Sequence, residues 1–97
     1  VMPGMHPRHY SPRTSVVLTD RPPAGSAYLW WSREASGVHG MPMPAAAREY
    51  ASRLYAALHE ADRMGVPLIA VEPVPGSPEW TAIRDRLQRA ASPSATL

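Results

Sequence analysis

The chain has 97 residues, no cysteine and a formal net charge of +2, and its ten basic residues are all arginine. The absence of lysine excludes Schiff-base chemistry and a phosphate-loop lysine within this chain. The absence of cysteine excludes a thiolate nucleophile, a disulfide and cysteine-ligated zinc. This length suits one domain with a modest core. No apolar run reaches the roughly 18 residues of a membrane span, so we expect a soluble, cytoplasmic domain that contacts no membrane.

The first residues, 1–13, are predicted to form an extended linker. They are rich in proline and show no apolar period. His6 and His9 have the H-x-x-H spacing of metal ligands, but Pro7 lies between them and no helical pattern surrounds them. Because a metal needs three or four ligands in compatible geometry, we expect no metal site.

Two short apolar runs follow, at residues 15–19 and 27–32, and both are predicted strands. Their connection is shorter than the dozen or so residues that a parallel crossover needs. The two strands are therefore either an antiparallel hairpin or not neighbours in a sheet. Residues 33–43 are predicted to form a loop.

The rest of the chain is organised around a helix at residues 44–64, a turn at Gly65 and a strand at 68–71. The helix shows one apolar stripe with a period of about 3.6 residues: Tyr50, Leu54, Ala57, Leu58 and Ala61. The strand is apolar throughout, which indicates that both its faces are covered. A last helix is predicted at residues 78–91.

Helix, buried strand and helix indicate an α/β fold, a small Rossmann-like sheet of three or more strands packed with two long helices. This domain is assigned to residues 14–91, and residues 92–97 are predicted to be a frayed tail. The predicted core contains Val17, Leu29, Leu54, Leu58, Ile69, Val71, Ile83 and Leu87.

Two groups of charged residues are candidates for ligand contact. Glu72 follows the buried strand at the edge where open α/β sheets bind ligands, and its carboxylate suits a hydroxyl or ammonium group. The alternative is a solvated carboxylate that caps the next helix. Arg84, Arg86 and Arg89 can contact phosphate or RNA. Their alternative is a solvated helix face that carries an Asp85–Arg89 pair.

Three stretches resemble the two-domain threonylcarbamoyl-AMP synthases. Residues 3–12, P-G-M-H-P-R-H-Y-S-P, resemble the family's interdomain linker, which reads roughly P-G-M-x-x-R-H-Y-A-P. L-Y-A-A-L at residues 54–58, followed by Asp62, resembles the long helix of the C-terminal domain. Residues 71–73 and 80–91 resemble that domain's last strand and helix. The stretch between the first two strands is shorter than usual, which suggests a missing family helix and a small sheet.

The resemblance implies an accessory C-terminal domain of an enzyme that makes threonylcarbamoyl adenylate from ATP, L-threonine and bicarbonate. The product supplies the threonylcarbamoyl group for a tRNA adenosine, so tRNA is involved only indirectly. Catalysis belongs to an N-terminal YrdC-type domain, the implied partner, with ATP and magnesium as its cofactors. This chain has no cofactor or catalytic set and is expected to be inactive alone. The linker is implied to act as a lid, through Arg8, His9 and Tyr10.

A second hypothesis is a stand-alone RNA- or nucleotide-binding module without catalysis. Arg84, Arg86 and Arg89 are predicted to lie on one face of the last helix, where Asp85 partly offsets them, and they supply little charge for phosphate-driven binding. The sequence therefore predicts at best a weak affinity for tRNA.

Overall fold

A computed structural model describes residues 12–91 of the chain, and these residues form a four-stranded sheet with two helices. The elements are β1 Val16–Leu18, β2 Ala27–Trp30, β3 His39–Pro42, α1 Ala47–Asp62, β4 Ile69–Val71, a 3₁₀ turn Pro78–Trp80 and α2 Thr81–Ala91. The strand order is β1-β4-β2-β3, and all three neighbouring pairs are parallel. The predicted α/β fold is confirmed.

The first two strands are not neighbours, which was the second of the two predicted options. β4 lies between them and pairs with both, with Ile69 opposite Val16 on one side and Ala27 on the other. The connection at residues 19–26 therefore crosses β4 without a helix. A short connection is sufficient because β1 and β2 have only three and four residues, so the chain has little distance to return along the sheet.

Strand β3 lies within a segment that was predicted to be a loop, and that prediction is wrong. β3 pairs in register with β2 from Ala27 opposite His39 to Trp30 opposite Pro42. The strand itself lacks an apolar pattern because only Met41 of its four residues is buried. A proline is tolerated there because β3 is an edge strand, where a ladder donor is dispensable.

The two faces of the sheet are covered differently. Crossovers between parallel strands are right-handed. A connection that moves the chain toward one edge of the sheet therefore lies on one face, and a connection that moves it toward the other edge lies on the opposite face. The return from β3 to β4 carries α1, and α2 packs beside it against the same core. On the other face, Tyr28 and Ala70 are fully buried without a helix. Residues 19–26 and 31–38 cover that face, and the Tyr28 hydroxyl donates to the Arg33 carbonyl at 2.9 Å.

Seven of the eight predicted core residues are buried: Leu29, Leu54, Leu58, Ile69, Val71, Ile83 and Leu87. Val17 is the exception, with 37% of its surface exposed. Its side chain points away from the two helices, because Val16 on the same edge strand contributes to the helix-covered core. Side chains alternate between faces along a strand, so a continuous apolar run does not reveal which residue is covered.

The helix boundaries differ slightly from those predicted. Helix α1 begins at Ala47 rather than at residue 44, and its N-cap residue Ala46 makes no side-chain cap hydrogen bond. Gly65 adopts a φ of +75° after the helix, as a left-handed C-terminal turn requires. No helix among residues 12–91 is both long and apolar enough to span a lipid bilayer.

Candidate functional site

Glu72 lies where β4 ends, and its carboxylate binds the loop that leaves β2. Its Oε1 accepts hydrogen bonds from the backbone N–H groups of Trp31 at 2.8 Å, Ser32 at 2.9 Å and Arg33 at 3.2 Å. Its Oε2 accepts a hydrogen bond from the Ser32 hydroxyl. Parallel strands bring their carboxyl ends to one edge, so a residue after β4 faces the residues after β2.

The Glu72 side chain is buried rather than solvated, with only 5% of the residue exposed. Both its predicted solvation and its predicted capping of the next helix are therefore wrong. Burial alone would raise the pKa of this carboxyl. The hydrogen bonds from Ser32 and from the backbone of residues 31–33 outweigh burial and hold the pKa below its ordinary value of 4.5. The carboxylate is thus kept ionised inside the protein.

The lowered pKa predicts how stability depends on pH. A carboxyl whose pKa is lower in the folded state stabilises the fold above its unfolded pKa and loses that effect as pH falls through the folded value. We expect the free energy of unfolding to fall between about pH 5 and pH 3, and to fall less in Glu72→Gln. Urea unfolding across this range measures it, with the exposed Glu79→Gln as control. Identical pH profiles for the wild type and Glu72→Gln contradict the prediction.

Aromatic side chains surround the Glu72 site. The Trp31 indole Nε1 donates to the Pro73 carbonyl at 2.9 Å, and its ring lies 6.2 Å from that of Trp80. The Trp80 ring also contacts Tyr50 edge-on, with centroids 5.2 Å apart. Burial and the Glu72 charge raise the pKa of the Tyr50 hydroxyl, which stays protonated. These rings pack the strand ends against α1.

Arg84 is engaged with its own chain. Its guanidinium donates to the carbonyls of Pro75 at 2.9 Å and Ser77 at 3.3 Å. It thereby fixes the loop that leads from β4 into α2. It also lines a shallow groove of about 140 Å³ beside Leu18 and Leu87.

Arg86 and Arg89 do not join Arg84 in one patch. The Arg86 guanidinium lies over the Tyr55 ring, 4.7 Å from its centroid, and lines a different groove between α1 and α2. Residues two positions apart on a helix point about 200° apart, which separates Arg84 from Arg86. Arg89 pairs with Asp85 at 3.5 Å, and both side chains are exposed. The expected single arginine face is therefore wrong, whereas the predicted Asp85–Arg89 pair is confirmed.

Asp62, at the end of α1, binds the segment that precedes β1. One carboxylate oxygen accepts from the Thr14 backbone N–H at 2.9 Å and from the Thr14 hydroxyl at 2.7 Å. The other oxygen accepts from the Arg13 backbone N–H at 3.1 Å. In the sequence, Asp62 is marked only by its place after the L-Y-A-A-L stretch of the helix. A single acidic residue at a helix end gives no sequence signal for a contact this distant along the chain.

The other predictions concern residues outside the part of the chain that the structure describes. Arg8, His9 and Tyr10, the predicted lid residues, belong to this group, as do His6 and residues 92–97. Within residues 12–91, no three His, Asp or Glu side chains are grouped so that they could hold a metal ion. The structure therefore describes two separate carboxylate contacts, Glu72 with its donors in residues 31–33 and Asp62 with residues 13 and 14.

Residues 1–92 match the family described as threonylcarbamoyl-AMP synthase, C-terminal domain. Comparisons with curated proteins and with solved structures gave no significant match. The family match covers the predicted linker together with the sheet and both helices, which is nearly the whole chain. The chain therefore belongs to the family of threonylcarbamoyl-AMP synthase C-terminal domains.

Proposed function

We propose that this domain acts through its linker, which closes as a lid over the active site of the N-terminal catalytic domain. The observation that carries the proposal is that the family match begins at residue 1 and includes the linker with the folded domain. The joined enzyme would form threonylcarbamoyl adenylate from ATP, L-threonine and bicarbonate, with the catalytic groups supplied by the other domain. The present chain would supply closure.

The contact of Asp62 with Arg13 and Thr14, here called the Asp62 anchor, supports this role. A lid closes reproducibly only if the chain leaves its support at a fixed point and in a fixed direction. The Asp62 carboxylate fixes that point, because it holds the backbone of Arg13 and both the backbone and the hydroxyl of Thr14. Hydrogen bonds to an ionised acceptor are about twice as strong as neutral ones. Only residues 11 and 12 separate Arg13, which Asp62 binds, from Tyr10 in the sequence.

The side chains of the linker suit contact with an adenylate. Arg8 offers a planar fork for a phosphate or carboxylate, His9 a hydrogen-bond donor and Tyr10 a stacking face. Proline and glycine narrow the conformations of residues 3–12, which lowers the entropy lost on docking. A closed lid would exclude water from a labile mixed anhydride and so slow its hydrolysis.

Substitution of the anchor tests the proposal in the joined enzyme. We expect Asp62→Ala to lower synthesis of threonylcarbamoyl adenylate several-fold, because the lid loses its fixed origin. Asp85→Ala is the matched control, since Asp85 is an exposed acid that pairs only with Arg89 among the salt bridges of residues 12–91. Circular dichroism and urea unfolding establish that both variants remain folded. Full synthesis by a folded Asp62→Ala enzyme would contradict the anchor's role.

The alternative of a stand-alone RNA-binding module finds no support in the arginine positions. We expect the isolated chain to bind tRNA only weakly, with an affinity that collapses as salt is added. The logarithm of the binding constant should fall with the logarithm of salt concentration at a slope no steeper than about −3, because three arginines release few counterions. Fluorescence anisotropy with labelled tRNA measures both quantities. Sub-micromolar binding at physiological salt, lost in a variant with Arg84, Arg86 and Arg89 all changed to Ala, would favour the RNA-binding module instead.

A further inference from the structure

The crevice between the carboxyl ends of β4 and β2 occupies the usual ligand position of an open parallel sheet. The two strands are neighbours, but the chain leaves them toward opposite faces. After β4 it continues into α2 on the helical face, and after β2 it covers Tyr28 on the other face. Such a divergence between neighbouring strands marks the topological switch point of an open sheet, and the position outside these strand ends, the ligand crevice, is where ligands of such sheets bind. In this chain the crevice contains the Glu72 side chain.

The walls of the crevice form an anion site made of backbone. Three successive N–H groups, from Trp31, Ser32 and Arg33, converge on one Glu72 oxygen within 3.2 Å. Successive N–H groups directed at one centre form a nest that binds anions. The Ser32 hydroxyl donates to the other oxygen, so both oxygens of the carboxylate are bound.

No salt bridge within residues 12–91 includes Glu72. The Arg33 side chain, although its backbone belongs to the nest, lies 4.0 Å from Asp20. Backbone dipoles and one hydroxyl therefore compensate the buried charge. Such a donor set matches a monocarboxylate and offers no charged side chain for a doubly charged phosphate.

We propose that residues 31–33 form a carboxylate-binding nest that Glu72 occupies from within the same chain, which closes the ligand crevice to nucleotides. Removal of the Glu72 side chain beyond its Cβ takes away a methylene and a carboxylate, the heavy atoms of acetate. The vacated nest therefore becomes a site for acetate. This inference goes beyond the lid and does not depend on it.

Rescue of Glu72→Ala by acetate tests the proposal. We expect the variant to unfold at a lower urea concentration than the wild type, and acetate to restore part of the loss. At ten times its dissociation constant, acetate lowers the unfolding equilibrium constant about 11-fold if it binds only the folded state. The backbone amide signals of residues 31–33 should shift saturably during the same titration. Acetamide, the neutral analogue, should produce neither effect.

Two reference proteins separate site binding from a general salt effect. The wild type and Glu79→Ala, which lacks an exposed acid, should respond to acetate no more than to chloride at equal ionic strength. Equal stabilisation of all three proteins, or equal rescue by acetamide, would overturn the proposal. If Glu72→Ala is unfolded in chloride, its native fraction should recover in acetate, and failure to recover is also a contrary result.

The closure of the crevice is tested in the wild type. Titration with ATP or AMP should leave the amide signals of residues 31–33 unchanged, because Glu72 already satisfies these donors. A saturable shift of these signals would show that nucleotides enter the crevice, and would overturn the proposal. This outcome is independent of the lid, since it is measured on this chain without the catalytic domain.

Discussion

Leu58→Ala is expected to destabilise the domain by about 2–5 kcal/mol. Leu58 is 2% exposed and belongs to the core that joins α1 to the sheet. Its truncation removes apolar contacts and leaves a cavity in a close-packed interior. Because small domains have total stabilities of about 5–15 kcal/mol, the loss is a large share of the whole. Urea unfolding followed by circular dichroism gives the difference in the free energy of unfolding.

Met64→Ala is the matched control for this measurement. Met64 lies just after α1 and is 41% exposed, so its truncation should change stability by less than about 0.5 kcal/mol. A change below about 1 kcal/mol for Leu58→Ala would show that Leu58 does not contribute to the core as the structure indicates.

The sequence predicted the elements that carry a strong period and missed those that depend on their neighbours. The apolar stripe of α1 and the continuous apolar run of β4 were predictable because the buried residues of each element form a regular pattern in its own sequence. β3 was not visible, since it pairs with β2 while burying only Met41. Likewise, Val17 belongs to the same apolar run as Val16, but side chains alternate between the two faces of a strand, so Val17 lies on the opposite face of the edge strand β1.

The position of Glu72 was predictable, but its bonding was not. A carboxylate after a buried parallel strand was expected at the ligand edge of the sheet. Its partners Trp31 and Ser32 lie 41 and 40 residues earlier in the chain, and no local spacing links the two segments. Strand order decides this contact, because only the insertion of β4 beside β2 brings Glu72 to Ser32. The Asp62 anchor escaped prediction for the same reason.

Substitution of the linker side chains is expected to have the largest effect on the joined enzyme. Arg8→Ala and Tyr10→Ala should each lower net synthesis of threonylcarbamoyl adenylate, roughly tenfold if each removes one charge-assisted hydrogen bond or one stacking contact. Stability should be unchanged, because no apolar period ties this segment to the core. Arg13→Ala is the control, since it removes a guanidinium from the same segment while its backbone N–H still binds Asp62. Steady-state synthesis and thermal unfolding of all variants provide the comparison.

The fate of the intermediate tests the lid most directly. In the joined enzyme, the fraction of newly formed threonylcarbamoyl adenylate lost to hydrolysis can be followed by quenching a radiolabelled single turnover at successive times. If the linker closes the active site, the Arg8→Ala, Tyr10→Ala double variant should lose a larger fraction than the wild type, and Arg13→Ala should match the wild type. An equally long-lived intermediate and full turnover in the double variant would contradict the account and leave the linker only a tether.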